Sequence, residues 1–230
     1  SILCYGGIDI LGTEKDSVYI QGYENGRGIL VLNSPTRSRM AYVRFNGLRN
    51  FHLQDWVLPA AITFYNSGVD IEFTLFSENL EGDDYLNIVR SDFTLGNSTF
   101  TNCKSDAFDG DFVSGRIYRV QFTGIGNDGI DFSGSSVNIN DVAFDSIQDK
   151  AISGGERSYI SASNISITNS ELGVNSKDDS HIDISKSTIT NTRVAYVVFM
   201  KKPEYGPGYI NASDVAVTNT ERPYIMEHNS

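Results

Sequence analysis

Three short stretches decide the fold of this chain: SDAFDGDF at 105–112, NDGIDFSG at 127–134 and DKAIS at 149–153. Each stretch repeats the pattern of the previous one 22 residues later, so that Phe108 and Ile130 occupy equivalent positions. A repeat of this length is typical of solenoids, in which the chain coils once per repeat and each coil stacks on the one before it. The repeat therefore predicts a stack of similar coils.

Four columns of mostly apolar residues extend the repeat from residue 83 toward the end of the chain. Successive members are 22 or 23 residues apart, except for a step of 28 before the last member of three columns. The columns are Leu86, Phe108, Ile130, Ile152, Val174 and Val197; Phe100, Phe122, Phe144, Ile167, Ile189 and Val217; Leu95, Ile117, Ile139, Ala162, Ile184 and Ala212; and Phe93, Gly115, Val137, Ile160, Ile182 and Ile210. Their regularity predicts that equivalent residues lie directly above one another.

Apolar and polar residues alternate within each repeat, as Val137–Ile139 and Ile182–Ile184 illustrate. Alternation with a period of two is typical of strands that bury one face. The turns are rich in Gly, Ser, Asn and Asp, and a 22-residue unit has no room for a helix that could cover a sheet. We therefore predict an all-β fold, a right-handed parallel β-helix with three parallel sheets, whose hand follows the usual chirality of parallel crossovers.

An asparagine recurs two residues after the second apolar column, at Asn102, Asn169, Asn191 and Asn219. Gly124 and Ser146 interrupt this series. Together with the four columns, the series resembles the pectate-lyase-like β-helix superfamily, in which such asparagines stack at one turn and their side-chain amides bond along the ladder. The three stretches quoted above also resemble bacterial β-helix repeat proteins of undetermined activity. The resemblance covers about residues 83–220 and implies the fold more specifically than it implies the activity.

We predict a single β-helix domain across residues 1–230. It divides into irregular coils with long loops at 1–82, regular coils at 83–221 and the start of a last coil at 222–230. Side loops are predicted at 34–40, 48–59 and 201–208, where the alternation is lost. Neither end of the chain resembles an amphipathic capping helix, so that we expect a fragment of a longer protein, or ends that meet other domains or subunits.

The charge balance limits the kinds of partner. The chain carries 18 Lys and Arg residues against 29 Asp and Glu, a formal net charge of −11. This excess of acid argues against nucleic-acid binding, which needs clusters of Lys and Arg. No apolar stretch approaches the ~20 residues of a membrane-spanning helix. Cys103 shares a column with Ile125 and Ile147, which predicts a core thiol rather than a disulfide with Cys4.

Acidic residues are expected to line the outer face of the first sheet. The column one residue after the first apolar column reads Asn87, Asp109, Asp131, Ser153 and Asn175, and a flanking column reads Asp84, Asp106, Asp128 and Lys150. Carboxylates one rung apart repel one another unless a raised pKa, a cation or a basic neighbour compensates. Because Ca²⁺ prefers clusters of oxygen ligands, Asp109, Asp111 and Asp131 are the candidate calcium ligands. Lys150 is the candidate internal counter-charge.

The superfamily resemblance implies a polysaccharide partner and a secreted or cell-surface protein of bacterial origin. Glycoside hydrolases use paired Asp residues as acid and base, which makes Asp109 and Asp131, with Asp111 or Asp128, the catalytic candidates. A lyase would instead use Lys150 as the base, with Arg157 holding the carboxylate of a uronate sugar. Tyr85 is a candidate for stacking on a sugar ring. The net charge favours a neutral glycan or one bridged by Ca²⁺.

A non-catalytic spacer or adhesion module is the alternative. The catalytic residue sets of polygalacturonases and pectate lyases are absent from the sequence. Asp, Asn, Gly and Ser also occupy β-helix turns because they tolerate turn geometry and bond to their own backbone. In that interpretation, Asp84, Asp106 and Asp128 are turn formers, and replacing Asp109 or Asp131 changes no activity.

Overall fold

The computed structural model describes residues 1–23 and 26–227 and is an all-β parallel β-helix of about nine coils, with roughly 23 residues in each. The fold prediction is therefore confirmed. Among the described residues, no helix is long and apolar enough to span a membrane. The predicted last coil begins with a strand, and its residues 228–230 lie outside the described part.

The first sheet contains ten parallel strands: β1 (Ile2–Cys4), β4 (Ile29–Leu32), β9 (Ala60–Tyr65), β12 (Asp84–Val89), β15 (Asp106–Asp111), β17 (Ile130–Ser133), β19 (Lys150–Gly155), β21 (Leu172–Lys177), β23 (Val194–Phe199) and β25 (Arg222–Met226). The second sheet contains thirteen: β2 (Asp9–Leu11), β3 (Val18–Gln21), β5 (Ser38–Ala41), β6 (Val43–Asn46), β10 (Val69–Glu72), β11 (Leu75–Ser77), β13 (Asp92–Gly96), β14 (Thr99–Thr101), β16 (Ser114–Ile125), β18 (Ser136–Ile147), β20 (Tyr159–Thr168), β22 (His181–Thr190) and β24 (Tyr209–Thr218). A small antiparallel hairpin pairs β7 (His52–Leu53) with β8 (Trp56–Val57).

The second sheet bends along its length, so that it supplies two of the three predicted faces. Its long strands turn at a residue in the left-handed conformation, for example Arg119 in β16 and Asp141 in β18. In the earlier coils the same corner interrupts the pairing. Phe73, with φ 49°, lies between β10 and β11.

The strand register confirms three of the four apolar columns over all six members. The first column is confirmed as far as Val174, which pairs with Tyr196 and not with Val197. Inside the stack, the rings of Phe76, Phe100 and Phe122 lie face to face, with centroids 4.3 and 5.0 Å apart. Such pairs add about 0.5–1.5 kcal/mol each beyond the burial of their area.

The asparagine series occupies one corner of the coil, where every member adopts the left-handed conformation. Gly124 and Ser146, which interrupt the series, have φ of 65° and 60°. Asn and Gly reach this conformation at low cost, so backbone geometry explains the whole column. The expected amide ladder is present at one step, where Asn191 Nδ2 donates to Asn169 Oδ1 at 3.3 Å.

The loop predictions are confirmed in part. Residues 201–208 form a loop, but the segment 34–40 contains the start of strand β5. The segment 48–59 folds into the β7–β8 hairpin, which lies beside the outer face of the first sheet. Cys103 is buried, and neither it nor Cys4 forms a disulfide.

Candidate functional site

The predicted outward column is present on the first sheet. Successive strands pair Thr63 with Asn87, Asn87 with Asp109, Asp109 with Asp131, Asp131 with Ser153 and Ser153 with Asn175. We call this column the central column. The column Asp84, Asp106, Asp128 and Lys150 lies at one margin of the same sheet and is called the edge column. The two columns together with Asp111 form the acidic face.

Asp109 is the most perturbed carboxyl of the central column. Asn87 Nδ2 donates to its Oδ2 at 2.8 Å. Burial, with added repulsion from Asp84 and Asp111, raises the pKa of Asp109 to about 9. Asp109 is therefore protonated at neutral pH and can act as a proton donor.

Asp131 has a different partner. Lys177 Nζ lies 3.2 Å from Asp131 Oδ2 and also 3.2 Å from Ser153 Oγ. The lysine reaches back two coils over Gly155, where an added Cβ would lie 2.7 Å from Lys177 Cε. The absence of a side chain at Gly155 thus makes room for the ion pair.

Sequence reasoning missed Lys177. The signal was present, because the 22-residue register places Lys177 in the column of Asp111, Ser133 and Gly155. What the register does not reveal is the direction in which a long side chain leans.

The edge column is held by the backbone of the next coil. Asp106 Oδ1 accepts the N–H of Asp128 at 2.9 Å, and Asp128 Oδ1 accepts the N–H of Lys150 at 3.0 Å. Burial outweighs the attraction of Lys150 and raises the pKa of Asp128 to about 7. Burial likewise raises the pKa of Asp106. These contacts support the turn-forming interpretation of the column.

Lys150 serves as the expected counter-charge. Its Nζ lies 3.1 Å from Asp128 Oδ1 and contacts Asp149 as well. Burial acts to lower the pKa of Lys150, but the two carboxylates outweigh it and raise the pKa above its usual value. A lysine held in this way is a poor general base, so the geometry favours the counter-charge role over the lyase role.

Asp111 completes the acidic face on the side away from the edge column. Burial, and then repulsion by Glu156, raise its pKa. Among residues 1–23 and 26–227, no three His, Cys, Asp or Glu side chains are arranged to hold a metal ion. The calcium site on Asp109, Asp111 and Asp131 stays a prediction, and the Lys177 ammonium supplies positive charge beside Asp131.

The two predicted substrate-binding residues lie away from the acidic face. Tyr85 is fully buried, and its hydroxyl donates to the Ser77 carbonyl at 3.0 Å, so the sugar-stacking prediction is wrong. The chain turns a corner there, and residue 85 points inward. Arg157 is exposed at the opposite corner, where its Nε donates to Asp179 at 3.1 Å as the register predicts.

The β7–β8 hairpin adds an apolar cavity to one end of the central column. The cavity, of about 440 Å³, has Trp56, Tyr65 and Asn87 among its lining residues. Its lining also includes Thr63, whose buried Oγ1 has no hydrogen-bond partner among the described residues. At the other end of the column, Asn175 Oδ1 is likewise buried without a partner in that part of the chain.

Comparisons with known proteins identify the fold. No protein-family model matches the sequence, and no curated protein sequence matches it. A catalytic domain of GH87 alpha-1,3-glucanase in complex with nigerose superposes on 100% of this chain with a TM-score of 0.57 and 10% identity. An alginate lyase from Paenibacillus sp. str. FPU-7 superposes on 97% of this chain and 86% of its own length, with a TM-score of 0.52 and 11% identity.

This chain spans 61% of the length of the glucanase chain. At identities this low, the likeness shows a shared fold, the parallel β-helix that the apolar columns predicted.

Proposed function

We propose that the acidic face binds a polysaccharide and hydrolyses one of its glycosidic bonds. The observation that carries the proposal is the environment of Asp109, a carboxyl protonated at neutral pH beside a second carboxyl paired with a lysine. Perturbed pKa values of this kind concentrate at functional sites. The glucanase and the alginate lyase that share the fold both act on glycans by name, which supports a carbohydrate ligand.

In the proposed reaction, Asp109 donates its proton to the glycosidic oxygen. The leaving sugar departs with that proton, and the anomeric carbon is attacked either by a second carboxylate, whose glycosyl ester water then hydrolyses, or directly by a water that this carboxylate deprotonates. Asp131 and Asp111 are the two candidates for the second carboxylate. Asp131 lies one strand away, about 4.8 Å in backbone spacing, whereas Asp111 lies two residues along the same strand, about 6.6 Å. Retaining enzymes keep their carboxyls about 5–5.5 Å apart and inverting enzymes about 6.5–9.5 Å. Asp131 is the nearer of the two in backbone spacing, so we assign retention to Asp131 and inversion to Asp111, and the anomer of the first product distinguishes them.

The proposed ligand is a neutral glycan, because the carboxylates of the acidic face would repel acidic sugars. The cavity beneath Trp56 offers apolar surface for a sugar ring and shares Asn87 with the central column. A secreted or cell-surface location goes with this proposal.

The test measures reducing ends released from a panel of neutral α- and β-glucans that includes α-1,3-glucan. We expect Asp109→Asn to lower kcat at least about 100-fold, because the amide cannot donate the acidic proton. Glu14→Gln, which changes an exposed acid between β2 and β3 of the second sheet, is the control and keeps full activity. An Asp109→Asn variant as active as the native chain would exclude this role.

The spacer interpretation is the second candidate, and one observation favours it. Every carboxyl group of the acidic face, apart from Asp84 and Asp111, already has a partner within the described part of the chain. If the protein is a spacer, glycans neither bind nor react, and Asp109→Asn changes only stability. Calorimetric titration of the native chain with the same glucan panel separates the two candidates.

A further inference from the structure

A second cavity lies at the corner where the first sheet turns into the second, away from the β7–β8 hairpin. Its volume is about 840 Å³, and we call it the trench. The lining includes three arginines and two aromatic side chains, namely Arg37, Arg90, Arg157, Phe112 and Tyr159. The proposed hydrolytic site uses none of these residues.

The trench exists because one column holds serines in the earlier coils and aromatic residues in the later coils. The register places Ser114, Ser136, Tyr159, His181 and Tyr209 one above another. The rings of the last three stack with centroids 5.3 and 4.5 Å apart. Tyr159 is the first ring of this stack, and its neighbour in the preceding coil is Ser136. One face of its ring therefore opens into the trench.

Phe112 supplies a second aromatic surface. It is 56% exposed and has φ of 54°, a conformation that is costly for a bulky side chain. Its ring extends over Gly134, where an added Cβ would lie 2.7 Å from the ring. The guanidinium of Arg90 lies over the ring at 6.0 Å. Arg90 and Gly134 adopt the left-handed conformation at the same corner of neighbouring coils, and this corner holds the Phe112 ring exposed beside the trench.

The arginines differ in how far they are neutralised. Arg37 pairs with both Asp70 and Asp92. Arg90 forms no ion pair with any described residue, and the contact of Arg157 with Asp179 uses Nε alone. The terminal nitrogens of Arg157 thus have no hydrogen-bond partner in the described part of the chain. The trench lining contains three arginines against one carboxylate, that of Asp92, in a chain with a net charge of −11, and Arg90 is the arginine whose charge is not offset by an ion pair with a described residue.

We propose that the trench binds an acidic polysaccharide, with uronate carboxylates on Arg90 and Arg157 and sugar rings on Phe112 and Tyr159. Arginine is suited to paired hydrogen bonds with a carboxylate. Backbone hydrogen bonds place Arg90 and Arg157 three coils apart, which corresponds to about 14 Å. A single small anion cannot contact both, whereas an extended chain with repeated acidic groups can.

The experiment measures binding of the full chain to polygalacturonate and alginate by calorimetry at about 0.15 M salt. We expect Arg90→Ala/Arg157→Ala to weaken binding at least about tenfold. The matched control is Arg44→Ala/Arg222→Ala, which removes two exposed arginines elsewhere, one of them also over an aromatic ring. Equal losses in both variants would overturn the proposal, because they would indicate attraction by total charge alone.

Two further arms test the ligand class. Phe112→Gly relieves the left-handed strain, so we expect binding to fall while the midpoint of thermal unfolding stays the same or rises. Single-stranded DNA of equal charge must bind at least tenfold more weakly than the uronates. Equal binding of DNA, or binding of a neutral glucan that Arg90→Ala/Arg157→Ala weakens as much as it weakens uronate binding, overturns the assignment to acidic sugars.

The proposal is independent of the hydrolytic site. Asp109→Asn is expected to leave uronate affinity unchanged, since Asp109 lies on the outer face of the first sheet. A change in uronate affinity in this variant would place the acidic ligand on the acidic face and would overturn the proposal that it binds in the trench.

Discussion

The edge and central columns both contain aspartates, three positions apart along the chain, yet these aspartates have different hydrogen-bond partners. Asp106 and Asp128 accept backbone N–H groups of the next coil. Asp109 and Asp131 accept only from side chains, those of Asn87 and Lys177. A backbone partner is fixed by the stacking of the coils, whereas a side chain can rotate away and leave its place to a ligand. The comparison indicates that the edge column supports the fold and the central column is available for chemistry.

The largest expected effect on stability distinguishes the two columns directly. Asp106→Ala leaves the buried N–H of Asp128 without an acceptor and should lower the free energy of unfolding by about 1–3 kcal/mol. Asp106→Asn keeps an acceptor oxygen and should recover most of that loss. Urea unfolding of both variants measures the difference, and equal losses would show that the backbone contact is not what holds the edge column.

Carboxyl groups of both columns should make the free energy of unfolding depend on pH, each over its own pH range. The folded pKa values of Asp128, Asp84 and Asp109 are about 7, about 8 and about 9, all above the unfolded value near 4. The neutral carboxyls therefore contribute stability that is complete below about pH 4 and is lost as the pH rises through each folded pKa. Each group changes the unfolding free energy by at most about 1.4 kcal/mol per pH unit.

Thermal unfolding from pH 5 to pH 9.5 measures this loss. Between pH 8 and pH 9 the remaining slope belongs mainly to Asp109, so Asp109→Asn should flatten the curve there. Glu14→Gln should leave the curve unchanged. A native curve that is flat from pH 7 to pH 9 would contradict the protonated state of Asp109.

The smallest expected effect concerns Ca²⁺. Because the ammonium of Lys177 already pairs with Asp131, millimolar Ca²⁺ should raise the unfolding midpoint of the native chain by no more than about 1 °C. Lys177→Met removes the competing cation and should make the rise larger. A large rise in the native chain, lost in Asp131→Asn, would place calcium in the central column despite the lysine.

The 22-residue spacing was sufficient for most of the fold. It predicted the coil, the inward columns and the outward order from Asn87 to Asn175, because stacked strands carry each residue onto its equivalent in the next coil. The prediction failed where a corner breaks the alternation. Tyr85 and Leu86 are consecutive, and both are fully buried, which a period of two does not allow.

For the candidate site, the sequence predicted only which residues the backbone brings side by side. The register identified Asp109, Asp111 and Asp131 as neighbours on an outward face. It did not identify the hairpin that brings Trp56 beside the face, since hairpins pair locally and lie outside the repeat. The trench was also missed, because it depends on which small and large residues succeed one another at a corner.

The sequence by itself determined the coil length, the direction of most side chains and the charge of the acidic face, because each follows from a fixed spacing along the chain. The tertiary structure alone decided which carboxyls are neutral, which cation reaches which anion and where cavities open. Those properties depend on burial and on the reach of long side chains across two or three coils. Lys177 is the clearest case: its contact with Asp131 joins residues 46 positions apart, over the space that Gly155 leaves free.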